Sequence, residues 1–379
     1  MDRFQLRRTC MKRYSVVQIG LGARGITHLK GFQNHQARIE IAGICDLQPE
    51  RVEAVGNQFQ IPQERWYRSA VEMLEKLQPD ILSFCTLPDT RLELVQLAAR
   101  TGVKAVCMEK PMATSLSEAK EMTEICKEHH IKAVVCHQHK YLKNFQILEK
   151  ILKSGELGTI ERINAECQPW LSQLGTHYMD YAIWANSGIG PVSVVGHVHG
   201  KGLLSDSHPS PDYFLGEAVM ANGVRSTLQF GYFSKKFHSH AEDYQASVYP
   251  IDFWEDDRLT VYGSTGYAWA ECSGSWGAFT AATNGSILSG KENGFRDELE
   301  HPIGQTKYTE DLIRWLDDDA QIHPCNIQQA FAGYEALEAM CISALEHRRV
   351  DLPMKLELGD DINERMRREL PEVLRKKLP

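Results

Sequence analysis

The sequence contains no stretch that approaches the roughly 20 consecutive apolar residues of a membrane-spanning helix, so we expect no membrane association. Residues 1–13 are basic but lack the apolar core of a secretory signal, and we expect a tail here, with either Met1 or Met11 as the true start. No two of the ten cysteines have C-x-x-C spacing, and most lie within apolar runs. This pattern indicates buried free thiols in a reducing compartment and predicts a cytoplasmic protein.

An excess of basic residues is also missing. The 42 lysines and arginines are outnumbered by 50 aspartates and glutamates, for a formal net charge of −8. This balance argues against a nucleic-acid partner and favours a small-molecule ligand. The hydrophobic and charged fractions, 42% and 24%, are typical of globular proteins, and no internal repeat is present. A length of 379 residues predicts two or three domains.

Residues 14–138 alternate short apolar runs with amphipathic segments. The runs, rich in Val and Ile, are Tyr14–Ile19, Ile39–Cys45, Ile81–Cys85, Val103–Met108 and Ala133–Cys136. Such runs are typical of strands buried on both faces, and helical patterns separate several of them. The alternation predicts βαβ units in one doubly wound parallel sheet, a Rossmann domain.

Residues 139–352 show a different pattern, which predicts a second, α/β domain with a large, mostly antiparallel sheet that is open on one face. A helix is predicted at Phe145–Lys153, followed by the strands Val192–Val198, Glu217–Met220, Arg225–Phe233 and Arg258–Val261 and by closing helices at Glu310–Leu316 and Ile327–Leu345. Polar segments at 200–216 and 234–257 predict long loops. In the charged tail, residues 353–379, an i, i+4, i+8 stripe of Ile362, Met366 and Leu370 predicts a solvated or partner-facing helix.

A G-x-G-x-x-G motif follows the first predicted strand and opens a helix. Its residues are Gly20, Leu21, Gly22, Ala23, Arg24 and Gly25. In this context the motif predicts a dinucleotide site, with the pyrophosphate at the helix N-terminus. Asp46 ends the second strand about 20 residues further on, where a carboxylate binds the adenosine ribose. It would repel a 2′-phosphate, which favours NAD over NADP, although Arg51 could soften that preference.

Two further turns follow predicted strands at the edge where doubly wound sheets bind ligands. The third strand ends in Thr86-Leu87-Pro88, and the fourth ends in Glu109-Lys110-Pro111. From this place Lys110 could reach both the nicotinamide ribose and a substrate hydroxyl. Partial desolvation would lower its pKa and allow proton transfer near neutral pH.

Together these motifs resemble those of the Gfo/Idh/MocA family of NAD(P)-dependent oxidoreductases, which act mostly on sugars, inositols and related polyols. The resemblance extends through Ser154-Gly155-Glu156-Leu157-Gly158, Gly175–Asp180 and Arg349–Pro353. It implies a Rossmann domain followed by an open-sheet domain that commonly builds homodimers and homotetramers.

The resemblance also implies a catalytic set: a lysine, an aspartate and a histidine four residues after the aspartate. Lys110 and His177 match, but the aspartate position holds Gln173, which cannot ionise. We therefore expect Lys110 and His177 in catalysis and Gln173 and Trp170 at the substrate. The segment where the family often carries Asn-x-Arg is Gln138-His139-Lys140 here, and Gln138, Thr86, Pro88 and Glu109 are expected near the cofactor.

Three functions remain open from the sequence. The favoured one is an NAD-dependent dehydrogenase of a sugar or polyol. A redox-cycling enzyme that cleaves or epimerises glycosides and a non-catalytic NAD or sugar sensor are the alternatives. The pairs His197/His199 and His238/His240 lack further ligands at zinc spacing, and no metal is expected.

Overall fold

The computed structural model describes residues 12–206, 208–231, 255–300, 302–355 and 361–372, except the side chains of 298–300. Several features singled out in the sequence lie outside these ranges. They are the alternative starts Met1 and Met11, Cys10, the His238/His240 pair, most of the 234–257 segment and the last residues of the charged tail. Among the described residues, no helix combines the length and the apolar character of a membrane span.

The first sheet contains six parallel strands in the order β3-β2-β1-β4-β5-β6. Its strands are β1 (Tyr14–Ile19), β2 (Ile39–Cys45), β3 (Trp66–Tyr67), β4 (Ile81–Phe84), β5 (Ala105–Met108) and β6 (Lys132–Val135). The connecting helices are α1 (Ala23–Gln33), α2 (Pro49–Gln58), α3 (Ala70–Leu77), α4 (Arg91–Thr101) and α5 (Leu116–Glu128). This is the predicted doubly wound architecture, with the order reversing between β1 and β4, where such folds bind ligands.

The second sheet contains nine strands in the order β14-β13-β12-β11-β7-β10-β9-β8-β15. They are β7 (Ile160–Cys167), β8 (Pro191–His199), β9 (Tyr213–Met220), β10 (Arg225–Gly231), β11 (Asp257–Gly263), β12 (Gly266–Ala270), β13 (Ser275–Phe279), β14 (Leu288–Lys291) and β15 (Val350–Asp351). Only β7 and β10 pair in parallel, so the prediction of a mostly antiparallel sheet is confirmed.

In the described part of the chain, six more helices accompany this sheet: α6 (Lys143–Ser154), α7 (Thr176–Ala185), α8 (Phe295–Glu300), α9 (Ile303–Asp317), α10 (Ile327–Glu346) and α11 (Ile362–Glu369). One large apolar core lies between the sheet and α7, α10 and α11. Residues from α9 and from the start of α10 complete the cores of the first sheet, which joins the two sheets into one body.

Two sequence predictions for this part are wrong. The predicted loop over 200–216 is shorter, because a 3₁₀ turn forms at Gly202–Ser205 and β9 begins at Tyr213. The stripe Ile362, Met366 and Leu370 faces neither solvent nor a partner, since all three side chains are buried in the core that contains α10. The nine described cysteines are free, and all but the half-buried Cys85 are buried, as predicted.

Candidate functional site

The glycine loop connects β1 to α1 and leaves the N-terminus of α1 open. Gly20 has φ of +78°, and a Cβ there would lie 2.5 Å from the carbonyl oxygen of Cys85. A Cβ on Gly25 would lie 2.0 Å from the Gly20 carbonyl, so both positions require glycine. Gly22 is different, because a Cβ there would meet nothing within 4 Å. It is also the N-cap of α1 and has no side chain, so the first-turn N–H groups receive no side-chain cap from it.

Asp46 holds this loop in place. Its Oδ2 accepts the Leu21 N–H at 2.8 Å, and its Oδ1 accepts the Gln48 N–H at 2.9 Å. The Arg51 guanidinium lies 3.9 Å from Oδ2 on the exposed side. The structure therefore places Asp46 and Arg51 together at the carboxyl end of β2, as predicted. Leu47, the next residue, is 82% exposed at the same edge and was not predicted.

A buried charged cluster lies behind the loop. Arg24 Nε donates to Glu109 Oε1 at 2.9 Å, and His28 Nε2 lies 3.2 Å from the same oxygen. Burial would raise the pKa of Glu109, but the Arg24 charge and the His28 hydrogen bond hold that pKa well below its usual value. Arg24 also approaches the Cys136 thiol and the Gln138 side chain. Glu109, Arg24 and Gln138 thus contact one another at the ends of β5 and β6.

Within the described ranges, His28, Glu109 and Cys136 lie close enough together to hold a metal ion. The Arg24 guanidinium contacts both Glu109 and Cys136, however, and so supplies the positive charge that a metal would bring. This donor set therefore fits an internal ion pair better than a metal centre.

The turns that follow β4 and β5 are joined by a buried arginine. Arg91 Nη2 donates to the Thr86 carbonyl at 2.8 Å and approaches the Lys110 carbonyl at 3.4 Å. Burial lowers the pKa of Arg91 to about 10. Arg91 thereby fixes the Thr86-Leu87-Pro88 turn relative to Lys110. No sequence pattern predicts this role of Arg91, because both acceptors are backbone carbonyls.

Lys110 reaches across to the second half of the chain. Its Nζ donates to the Gln173 carbonyl oxygen at 2.8 Å and lies 3.4 Å from Gln173 Oε1. Gln173 belongs to a π-helical turn, Leu171–Gly175, that runs directly into α7. Burial and the nearby Arg24 and Arg91 lower the pKa of Lys110 to about 8, although Glu109 opposes the shift.

His177 lies in the first turn of α7, one turn beyond Gln173. Its ring is buried, and Nδ1 lies 2.8 Å from the Tyr181 hydroxyl. The same hydroxyl accepts the His139 backbone N–H at 3.2 Å, and the His139 ring stacks on His177 with centroids 4.7 Å apart. Burial, with His139 and His137 alongside, holds the pKa of His177 well below 6.5, so the ring is neutral at physiological pH.

A buried ion pair fixes α7 against the turn after β6. Lys140 Nζ lies 2.5 Å from Asp180 Oδ2, and His137 Nδ1 lies 3.5 Å from the same oxygen. Gln329 of α10 donates to Asp180 Oδ1 at 2.8 Å. Burial would raise the pKa of Asp180, but Lys140 and His137 lower it to about 2. The pair therefore holds the helix that carries His177.

The structure brings Lys110, Gln173 and His177 together, as the sequence predicts. Of the aromatic residues near them, Tyr178 is fully buried in the core and hydrogen-bonded to Asp257. Trp184 lines a different groove with Tyr141. Trp170 is half-buried just before Gln173, and its role stays a prediction. His197 and His199 are exposed on β8, away from the site.

Tyr181 was missed, although a signal exists in the sequence. It lies four residues after His177 on the same helix, a spacing that places both side chains on one face. His137 and His139 follow directly after β6, at the edge where the other turns carry functional residues. Asp180 and Lys140 gave no comparable signal, because their pairing depends on how α7 packs.

Comparison with known proteins relates part of the chain to a family. Residues 14–137 match the sequence model of the oxidoreductase family GFO_IDH_MocA, described as an NAD-binding Rossmann fold. Over residues 14–137 the chain therefore resembles the Gfo/Idh/MocA oxidoreductases. Its first sheet is accordingly a Rossmann fold of the NAD-binding kind, and the resemblance drawn from the sequence motifs is confirmed.

Among curated proteins, the chain is similar in part to dehydrogenases of sugars and polyols. D-apiose dehydrogenase of Paraburkholderia graminis is 33% identical over 151 residues, which are 40% of this chain and 39% of that protein. Myo-inositol 2-dehydrogenase of Thermotoga maritima is 26% identical over 140 residues, 37% of this chain and 41% of that one. The matches thus span about two fifths of the length of these relatives.

Solved structures resemble the chain over most of its length. An oxidoreductase from Agrobacterium radiobacter, solved with NAD+, L-tartaric acid and magnesium, superposes with a TM-score of 0.74 at 19% identity, covering 90% of this chain and 98% of that one. The WlbA dehydrogenase from Bordetella pertussis, solved with NADH and UDP-GlcNAcA, gives 0.67 at 19% identity over 91% and 100%. These likenesses confirm the fold of both halves.

Proposed function

We propose that this protein is an NAD-dependent oxidoreductase that transfers hydride between the nicotinamide ring and a hydroxyl-bearing carbon of a sugar, inositol or related polyol. The observation that carries the proposal is the position of Lys110. Its amine lies at the carboxyl end of β5, has a pKa lowered to about 8, and approaches Gln173 one helical turn from His177. The names of the curated relatives, apiose and inositol dehydrogenases, support the substrate class.

The residues at the α1 N-terminus fit a dinucleotide. The open space at Gly22 and the uncapped first turn suit a pyrophosphate, because unpaired N–H groups and the helix dipole both favour an anion there. Asp46 would accept ribose hydroxyls and disfavour a 2′-phosphate, and the exposed Leu47 beside it would cover the adenine. Thr86 and Pro88 would border the nicotinamide end. NAD, when bound here, supplies the hydride acceptor or donor.

Lys110 is proposed as the group that moves the proton. Oxidation of an alcohol removes a hydride from carbon and a proton from the hydroxyl oxygen. The neutral Lys110 amine can accept that proton while it still donates a hydrogen bond to the Gln173 carbonyl. In the reverse direction the ammonium returns the proton to the carbonyl oxygen. A pKa near the working pH suits both directions.

His177 is proposed to orient the reacting oxygen. The Tyr181 hydroxyl accepts the His139 N–H, so its own proton is available for His177 Nδ1. This arrangement selects the tautomer with the proton on Nε2, which leaves Nε2–H as a donor. A pKa far below 6.5 keeps the ring neutral, so His177 donates a hydrogen bond and Lys110 alone carries the proton. Gln173 would position a neighbouring hydroxyl through its amide.

Two further features belong to this proposal. The outer face of the second sheet would join copies of the chain into a homodimer or homotetramer, since β8 exposes Val192 and Val195 there by 42% and 41%. The free, buried cysteines fit a reducing cytoplasm.

The test is a panel of polyols, aldoses and glycosides incubated with NAD or NADP, with absorbance at 340 nm and product release followed together. We expect NADH formation on a sugar or polyol, with a higher kcat/KM for NAD than for NADP. Lys110→Ala should lower kcat by about 10²–10⁴, the usual loss for a positioned acid–base group. Lys120→Ala, on the surface of α5, is the matched control and should retain activity.

Wild-type-like turnover of the Lys110→Ala variant would remove Lys110 from this role. Product release without any net change at 340 nm would instead favour the redox-cycling alternative. Complete inactivity over the whole panel would favour a sensor.

A further inference from the structure

A cavity of about 350 Å³ lies beside the candidate catalytic residues but does not include them. Its near wall is formed by three segments next to the candidate catalytic residues. Leu87 and Pro88 come from the turn after β4, Pro111 follows Lys110, and Leu171, Ser172 and Thr176 flank Gln173 and His177. The cavity therefore begins where the proposed reaction site ends.

The far wall is formed by α10 and α11. Leu337, Cys341, Ile362 and Met366 make this wall apolar. Polar side chains interrupt it: Glu338 from α10, whose hydrogen-bond partner is the Tyr334 hydroxyl, and Asp361, Asn363 and Arg367 at α11. Burial raises the pKa of Glu338 to about 8, so the carboxyl group is mostly protonated at neutral pH and can exchange hydrogen bonds with a neutral hydroxyl.

The shape and the walls favour a rigid ligand. Four prolines line the cavity, Pro88, Pro111, Pro209 and Pro211, and their fixed φ angles make those wall segments stiff. A flexible chain would lose rotational freedom on entering, whereas a ring loses little. The volume is at the lower end of the range of ligand sites, roughly 300–1,000 Å³.

We propose that this cavity binds a phenolic ring attached to the sugar, so that the substrate is an aryl glycoside. The sugar hydroxyl of this substrate reacts at Lys110, while its aglycone lies between the Pro88/Pro111 wall and Glu338. This inference rests on the proposed function for the sugar part, but the ring site can be tested without catalysis.

The binding experiment uses hydroquinone as the probe, followed by saturation-transfer NMR on the full chain. Hydroquinone should bind the wild type and the Lys110→Ala variant equally. Asn363→Trp, which places a large ring at the cavity wall on α11, should weaken binding at least tenfold. Arg368→Trp, on the exposed side of α11, is the matched control and should bind like the wild type. Thr114→Phe, from another part of the wall, is a second blocking variant with the same expected loss.

The kinetic arm compares 4-hydroxyphenyl β-D-glucopyranoside with methyl β-D-glucopyranoside. The aryl compound should have the higher kcat/KM, and this advantage should disappear in Asn363→Trp but not in Arg368→Trp. Equal hydroquinone binding by these two variants, or no binding to the wild type, would overturn the ring site.

The two proposals fail in different ways. If hydroquinone binds as described but no alcohol is oxidised, the cavity assignment stands and the proposed function fails. If polyols are oxidised in a Lys110-dependent way but aryl glycosides have no advantage, the function stands and the aglycone site is wrong.

Discussion

Lys110 lies near one carboxylate, Glu109, and two guanidinium groups, Arg24 and Arg91. Burial and the two guanidinium groups lower the pKa of Lys110, Glu109 raises it, and the resulting pKa is about 8. The oxidation of an alcohol needs the amine neutral. We therefore expect kcat/KM for oxidation to rise about tenfold per pH unit below pH 8 and to level off above it. Carbonyl reduction should show the opposite dependence, because it needs the ammonium. Initial rates between pH 6 and pH 10 measure both limbs, and a flat oxidation profile would contradict Lys110 as the base.

Tyr181 determines which nitrogen of His177 carries the proton. In Tyr181→Phe the hydrogen bond to Nδ1 is lost, and the ring can adopt either tautomer. A hydrogen bond of about 1–1.5 kcal/mol corresponds to a roughly tenfold lower kcat, and we expect KM to change little.

The measurement for Tyr181→Phe combines steady-state kinetics with ¹⁵N NMR of the His177 imidazole, which reports the tautomer directly. Tyr141→Phe is the control, because it also loses a buried hydroxyl contact, to Asp311, but lies away from His177. Unchanged kcat together with an unchanged tautomer would show that Tyr181 only fills space.

Single residues differ in how far the sequence predicts their role. Lys110 could be predicted because it follows a strand at the edge where such sheets bind ligands, and Gln173 and His177 because the family resemblance implies their positions. Arg91 could not, because it acts on two backbone carbonyls whose positions only the folded chain defines. The Lys140–Asp180 pair likewise depends on the packing of α7, which no local pattern encodes.

Helix α11 shows the difference between predicting an element and predicting its neighbours. The stripe of Ile362, Met366 and Leu370 correctly predicts a helix, but in the structure its apolar side completes the core formed with α10. Met366 is 2% exposed there. Met366→Ala should therefore cost about 2–5 kcal/mol, the usual loss for a large-to-small change in a core.

Thermal unfolding and hydrogen exchange across α11 measure this loss. The control is Arg368→Ala, whose side chain is 62% exposed and which should leave both unchanged within error. If the two variants unfold alike, α11 is not part of the core.

How well a strand can be predicted from the sequence also depends on whether its two faces are buried. The strands of the first sheet appear within about two residues of their predicted bounds, because both of their faces are buried and their sequences are continuously apolar. Three elements there were not predicted: α2, α3 and the two-residue β3. In the second sheet β13 and β14 contain Ser, Gly and Lys, so their sequences carry no long apolar run. They are strands because β13 pairs with β12 and β14 pairs with β13.

At the scale of the whole molecule, the outer face of the second sheet is the surface proposed to join copies of the chain, and this assembly can be tested. Val195 of β8 and Leu215 of β9 lie on that face, and no described segment of the same chain covers Val195, which is 41% exposed. We expect a homodimer or homotetramer by light scattering after size-exclusion chromatography. The double variant Val195→Glu/Leu215→Lys should shift the mass towards the monomer, because it buries two new charges in the proposed interface.

Ile322→Lys is the control for assembly, since Ile322 is 63% exposed before α10 and not on this sheet. A wild type that is monomeric, or a double variant with unchanged mass, would exclude this face as the interface.

The position of β7 has a consequence for how the chain is made. This strand lies in the middle of the second sheet, between β10 (Arg225–Gly231) and β11 (Asp257–Gly263), both of which follow it by many residues. On the ribosome β7 must therefore emerge with both edges unpaired and wait for later sequence. We expect nascent chains released before residue 263 to aggregate or recruit chaperones, and full-length chains to do so far less.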